Sequence, residues 1–332
     1  MKKPTMREIA RALDTSAVTV SKALAGKPGM SDKLRKKIMK KAEEMGYSYP
    51  GGERPGARKS LDIGILIPDV FFQSDSYYSA MYRKLVQKLA SLGHFGLLEI
   101  LSLEDERNLV LPNLIQTGRV DGMVLLGQTG KTYYRMIGQQ EIPAVFLDFY
   151  DEQGTADAVV GDNTYGAYRL TSHLIRNGHT RIGYVGNRRA TSSIMDRFLG
   201  YYRAMLMNSL PVREEWILND REEDGTLCDI QLPEELPTAF VCNCDVVARK
   251  LIDRLQSRGL RVPEDVSVMG FDDYEIGPAQ LPALSTFHVD MDAMVEEAVK
   301  SIVARCAGQS KVGGRLVVGG HPVYRDSDRP LG

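Results

Sequence analysis

Apolar positions in the first part of the chain recur at helical spacing and then change rhythm. Ile9, Ala10 and Leu13 share one face of a first short helix, and Val20 and Leu24 one face of a second. Leu34, Ile38, Ala42 and Met45 do the same for a third. Asp14, Thr15 and Ser16 offer side-chain oxygens to cap the second helix, and Ser31 to cap the third. Gly26-Lys27-Pro28-Gly29 breaks the chain between them. Two short helices joined this tightly make a helix-turn-helix. With Val20 and Leu24 turned inward, Ala17, Val18, Ser21 and Lys22 lie on or near the outward face, where small side chains permit close approach to base edges.

Residues 50–59 (PGGERPGARK) have the Gly/Pro-rich, basic composition of a linker. Beyond them, short apolar runs at 63–67, 95–101, 122–126 and 145–147 read as strands, with helices expected over 77–92 and 104–117. A second series follows: helix 165–176, strand 182–185, helix 195–208, strand 239–242, helix 246–259 and strand 266–269. Runs apolar on both faces belong to parallel strands covered by helices. The expected organisation is an all-α helix-turn-helix head (1–49), a hinge linker (50–60) and an α/β body (61–332) of two Rossmann-like lobes. Such lobes enclose a ligand cleft at the carboxyl ends of their strands. A helix at 291–307 returns to the first lobe, so the N-lobe takes about 61–161 and 291–320 and the C-lobe about 162–290 and 321–332.

Charge changes this picture more than composition does. The net charge is only −1 over 332 residues, yet residues 1–59 hold 15 Lys and Arg against 6 Asp and Glu. The head is therefore strongly basic and the body acidic, which suits one end meeting phosphate and the other staying off it. Beside a helix-turn-helix, the pairs Lys36-Lys37 and Lys40-Lys41 read as part of a nucleic-acid face rather than as solvated surface. No early apolar run suggests a signal peptide or membrane span, so a cytoplasmic protein with no membrane partner is expected. Cys228, Cys242, Cys244 and Cys306 lack metal-ligand spacing and read as reduced thiols, and the five histidines form no metal motif. With no Walker loop, no GxGxxG after a strand and no GxSxG, neither a catalytic residue nor a cofactor or metal is expected, and the chain reads as no enzyme.

These residues carry a resemblance to the lactose-repressor (LacI/GalR) family of transcription regulators. In the head it rests on TSAVTVSKALA at 15–25 and on Gly46-Tyr47; in the body on RIGYVG at 181–186, DRFLGY at 196–201, VPEDVSVMGFDD at 262–273 and LPALST at 281–286. The ordered set spans nearly the whole chain. It implies a periplasmic-binding-protein-like body, and a homodimeric repressor whose heads dock in successive major grooves of a pseudo-palindromic operator. By position, Ala17, Val18 and Lys22 would face base edges while Ser16, Thr19 and Ser21 hold phosphates. Tyr77, Tyr78, Asp148, Arg197 and Asp272 would bind an effector. Carboxylates accepting from vicinal hydroxyls, a guanidinium donating back and an aromatic face suit a mono- or disaccharide. The alternative is a regulator governed by a non-sugar effector or by a partner phosphoprotein.

Departures from the family pattern are informative. Lys22 stands where Arg is usual and lacks its planar fork, and Ala25 replaces a usual Asn. Gly51, Gly52, Pro55 and Gly56 disfavour a hinge helix, so minor-groove contact is expected to be slight or to run through Arg54 and Arg58. Cys244 replaces a usual Asn before Asp245. The segment 71–75 (FFQSD) adds aromatic and polar residues at the cleft rim, and Trp216 reads as packing.

Overall fold

A computed structural model describes residues 5–24, 30–45, 47, 60–72, 76–154, 156–274, 281–309 and 314–331. The chain divides into two compact units, Met1–Ser60 and Leu61–Gly332. The expectations placed on Ala25, Gly46, 50–59 and 73–75, including Arg54 and Arg58, lie outside the described residues.

In the first unit, α1 (Met6–Ala12), α2 (Ala17–Leu24) and α3 (Asp32–Glu44) surround a small core. Thr5 and Glu8 cap α1 reciprocally: the Thr5 amide donates to the Glu8 carboxylate at 2.7 Å and the Glu8 amide to the Thr5 hydroxyl at 3.4 Å. Asp14 takes a positive φ of 49° in the turn, and the Thr15 amide donates back to the Ala10 carbonyl at 3.0 Å. Ser16 starts α2 by accepting from the Thr19 amide at 3.0 Å. Ile9, Val20 and Ile38 are completely buried, with Ala10, Ala23 and Ala42 between them. Ala23 rather than Leu24 shares the deepest face with Val20, and Leu24 packs at the edge, because i,i+3 neighbours point the same way as closely as i,i+4.

The second unit alternates strand and helix. In order it comprises β1 (Asp62–Pro68), α4 (Tyr77–Ser91), β2 (Phe95–Leu101), α5 (Leu103–Arg107), α6 (Asn113–Gln116), β3 (Gly122–Leu126), α7 (Lys131–Gly138), β4 (Ala144–Leu147) and β5 (Asp157–Gly161). There follow α8 (Asn163–Arg176), β6 (Ile182–Val185), α9 (Ser192–Met207), β7 (Ile217–Leu218), β8 (Ala239–Cys242), α10 (Asp245–Ser257) and β9 (Ser267–Met269). The chain closes with β10 (Thr286–Val289), α11 (Met291–Cys306), β11 (Arg315–Val318) and β12 (Gly320–Val323).

Six strands form one parallel sheet in the order β11-β5-β4-β3-β1-β2, and four form a second in the order β7-β6-β8-β9, while β10 and β12 pair as an antiparallel ribbon. The central strands β3, β4, β6 and β8 are buried along their whole length, as unbroken apolar runs require. Helix α11 packs on α4 and on β3 to β5. Helices α8 and α9 approach unusually closely because Gly200 faces the Thr164 carbonyl, where any Cβ would collide with it. Trp216 is fully buried and donates its indole N–H to the Glu235 carbonyl at 3.0 Å.

One expected helix divides. Instead of a continuous helix over 104–117, α5 and α6 are separated by Leu109 at φ 55° and by Pro112, which caps α6. Proline lacks the N–H and constrains the residue before it, so a helical run cannot pass through it cheaply. Ser102 holds the start of α5 instead, accepting from the Asp105 amide at 3.0 Å.

Candidate functional site

On the head, Ser16 and the first turns of α2 after it present the six DNA-contact candidates along one short stretch. Val18 is 65% exposed although it is a large aliphatic, and Lys22 and Ser16 are exposed, with Ala17, Thr19 and Ser21 half-buried at the margins. The hydroxyls of Ser16 and Thr19 lie 2.8 Å apart and bond each other, so Ser16 already serves as a helix cap. Lys33, Lys36, Lys37 and Lys40 are exposed on α3. An exposed valine beside lysines and hydroxyls adds no burial to the free protein and is well suited to a groove lined by thymine methyls and phosphates.

In the body, all five effector candidates line one cavity of about 160 Å3 between the lobes. Each is delivered by a segment leaving the carboxyl end of a strand. Tyr77 and Tyr78 open α4, whose cap Ser76 accepts from the Ser79 amide at 3.1 Å. Asp148 follows β4 at φ 70°, and Asp272 and Asp273 follow β9 at φ 109° and 54°. Such backbone costs of the order of 1–3 kcal/mol per residue and is concentrated at ligand-holding turns. Arg197 comes from the buried face of α9, and the close α8–α9 contact brings Asn163, the first residue of α8, to it.

Arg197 is 5% exposed and held on several sides. Its Nε donates to Asn163 Oδ1 at 2.7 Å, one terminal nitrogen donates to the Asn243 carbonyl, and the other lies 3.1 Å from Asp272 Oδ1. Its guanidinium sits 4.0 Å from the centroid of the Phe271 ring. Tyr78 donates to Asp148 Oδ2 at 2.7 Å. Phe71 leans on Tyr78 at 5.1 Å, and Tyr77 stands edge-on to Tyr78 and Tyr274.

Electrostatics and hydrogen bonding leave this cavity unfinished. Burial pushes Asp272 up to about 7; Arg197 opposes the shift and Asp148 reinforces it. Asp148 is also raised by burial, against Arg197 and the Tyr78 hydroxyl. Burial alone would lower Arg197, but the two carboxylates raise it. The Asp272–Arg197 contact is a close ion pair with poor hydrogen-bond geometry, since Asp272 Oδ1 has no hydrogen-bond partner. The buried hydroxyl of Tyr77 and Nδ2 of Asn163 are also unpartnered. A buried polar group without a partner costs about 1–3 kcal/mol. A ligand supplying complementary groups recovers that cost.

Several lining residues escape sequence reasoning. Arg221 crosses to the site from a short hairpin, bonding Asp220 at 2.7 Å and lying 3.9 Å from the Cys244 sulfur. Burial pushes the Cys244 thiol up to about 12, against the pull of Arg221. Thr191 and Ser193 come from the start of α9 and Asn243 from the end of β8. Their signal was position alone, just past strand ends. No group of His, Cys, Asp and Glu among the described residues could hold a metal ion, and the four cysteines are free thiols.

Residues 5–49 match the family described as bacterial regulatory proteins, lacI family, and residues 171–327 match a periplasmic binding protein-like domain. The chain belongs to the LacI family. The HTH-type transcriptional repressor PurR of Vibrio campbellii is 29% identical over 314 residues, 91% of either chain. The HTH-type transcriptional repressor CytR of Escherichia coli K12 is 27% identical over 98% of this chain and 97% of its own. The solved complex of the transcriptional regulator CelR with cellobiose is similar in fold, with a TM-score of 0.69 at 21% identity over 98% of this chain and 99% of that one. The LacI-family protein described here is thus a DNA-binding transcriptional repressor with an effector-binding body, in a family of regulators rather than enzymes. Members of this family bind operator DNA and small-molecule effectors as dimers. No helix among the described residues is long and apolar enough to cross a membrane.

Proposed function

We propose that this LacI-family repressor acts in the cytoplasm as a homodimer on a pseudo-palindromic operator and is switched by a carbohydrate held between its lobes. Val18, Ala17 and Lys22 read base edges in the major groove, while Ser16, Thr19 and Ser21 position the helix on phosphates. The exposure of Val18 supports this reading of α2.

The observation that carries the effector reading is a pair of buried polar groups lining one cavity, the Tyr77 hydroxyl without a partner and Asp272 Oδ1 with an ion pair to Arg197 but no aligned hydrogen bond. Vicinal hydroxyls donate to Asp272 and Asp148, Arg197 donates to a ring or hydroxyl oxygen, and Phe71 and Tyr77 cover an apolar sugar face. Ordinary ligand pockets run to roughly 300–1,000 Å3, so a cavity of about 160 Å3 favours a single ring. A second reading has its own support. A cluster of aromatic rings in the lining, together with a carboxyl near neutrality that can donate or accept, also fits a flat heterocyclic base. The effector changes lobe closure and through it the operator affinity, and the coupling must be reciprocal.

A thermal-shift screen of monosaccharides, disaccharides and nucleobases, repeated with Asp272→Ala, tests this. The carbohydrate reading predicts that a sugar raises Tm in the parent protein and not in the variant. Stabilisation by a base alone transfers the site to the second reading. If no small molecule stabilises the protein, both fail and control by a partner protein takes their place.

A further inference from the structure

Behind Phe71 lies a second space between the lobes, of about 630 Å3. It and the inner cavity share Val70, Phe71 and Gly225, so Phe71 is the partition between them. The partition is clamped from both lobes. A Cβ on Gly127, after β3, would lie 3.0 Å from the Phe71 ring, and one on Gly225, in the hairpin beyond β7, would lie 3.2 Å from it. Both glycines have positive φ, of 85° and 90°. The ring is therefore seated between two backbones rather than packed into a core, and its two sides face two chambers.

The chemistry of the outer chamber differs from that of the inner one. Its cations are already paired: Arg107 with Asp224 at 3.2 Å, Arg189 with Glu223 at 3.5 Å and Lys131 with Glu152 at 3.3 Å. Glu106 accepts from the Gly130 amide at the start of α7. Among its lining residues Arg107, Lys131 and Arg189 are balanced by Glu106, Glu223 and Asp224, which leaves no net charge to attract an ion. In contrast, Thr129 is only 4% exposed and its hydroxyl has no hydrogen-bond partner. That hydroxyl can both donate and accept, and beside it stands the aromatic partition. Gln128 closes the neighbouring wall by accepting from the Ser192 amide of the other lobe at 2.7 Å.

We infer that the outer chamber is a second subsite, which takes the uncharged, hydroxyl-bearing second ring of a two-ring effector whose first ring occupies the inner cavity. This rests on the effector reading above. The linkage passes beside Phe71, whose ring borders both chambers, and Thr129 hydrogen-bonds the second ring.

Isothermal titration of the full-length protein with matched probes tests it: glucose against cellobiose, and adenine against adenosine. In whichever pair binds, the two-ring member is expected to bind at least about tenfold tighter than the one-ring member. Thr129→Val, which keeps the shape and removes the hydroxyl, is expected to weaken the two-ring member by about tenfold and leave the one-ring member within about twofold. Thr129→Ser is expected to restore the difference. Equal losses for both members, or no loss for the two-ring member in Thr129→Val, overturn the subsite while leaving the inner site intact. Failure of all four probes in the parent protein overturns the effector reading and the subsite together.

Discussion

The α2 face of the head and the cavity of the body are both incomplete surfaces, but they are incomplete in opposite ways. On α2 the unsatisfied feature is apolar, an exposed valine flanked by hydroxyls and a lysine that water solvates well. In the cavity it is polar, a buried phenol without a partner and a carboxylate oxygen that has an ion pair but no aligned hydrogen bond. The first surface costs the free protein little and tolerates substitution. The second stores strain in its backbone turns and shifts the protonation of its carboxylates, so changes there reach stability as well as binding.

The largest effect is expected from Arg197→Leu. It strands Asp272, Asp148 and Asn163 without their common partner, and breaking a buried ion pair in this way costs about 3–5 kcal/mol. Urea denaturation of the body should show that loss, and effector binding should disappear in titrations. A variant that keeps full stability breaks the contrast between the two surfaces. Lys22→Ala is the counterpart on the head. It should weaken operator binding by about 1–3 kcal/mol in gel-shift titrations while folding stability moves by less than about 0.5 kcal/mol. Loss of effector affinity in the same variant would argue against separable surfaces.

Asp272 gives a sharper probe through pH. Because the folded protein holds its carboxyl at about 7, above the ordinary 3.8, it keeps a proton that the unfolded chain releases. Its contribution to stability is present below the ordinary value and is lost as pH rises through about 7. The effector-free body should therefore lose stability between about pH 4 and 7 relative to Asp272→Asn. An effector that donates hydrogen bonds to the ionised carboxylate lowers that pKa, so binding should tighten from pH 5.5 to 8 with proton release. Calorimetry in buffers of different ionisation enthalpy measures that proton directly, and uptake instead of release would reverse the proposed role. The smallest effect is expected from Ser16→Ala, which removes the cap of α2 and should cost the head about 1 kcal/mol. Circular dichroism melting of the full chain reads it.

What the sequence discloses follows the range of the interactions involved. The three head helices and the central strands are legible because their signals are local: Val20 with its neighbours on one face, or five apolar residues at 122–126. The division of the helix at 104–117 turns on Leu109 and Pro112, where backbone geometry outweighs apolar spacing. The β10–β12 ribbon pairs His288 with His321 and Phe287 with Pro322, and neither strand carries an alternating pattern to announce it. In the cavity, the five effector candidates were legible as a set through resemblance. Their missing partners were not, because an unpartnered Tyr77 hydroxyl exists only once α4, β4, β9 and α9 have been brought together. The Arg197–Asp272 pair belongs to the same class, with Asn163 and Phe271 completing its surroundings from other elements.

The path of the chain has a consequence for synthesis. The strand that borders β5 in the six-stranded sheet, β11, is made only after β6 to β10 and α11 have intervened. Until β11 is in place, β5 keeps an open strand edge, which invites pairing with another chain. Completion of the six-stranded sheet thus waits on residues 315–318. Premature termination just short of 315 should yield aggregates rather than a smaller working sensor.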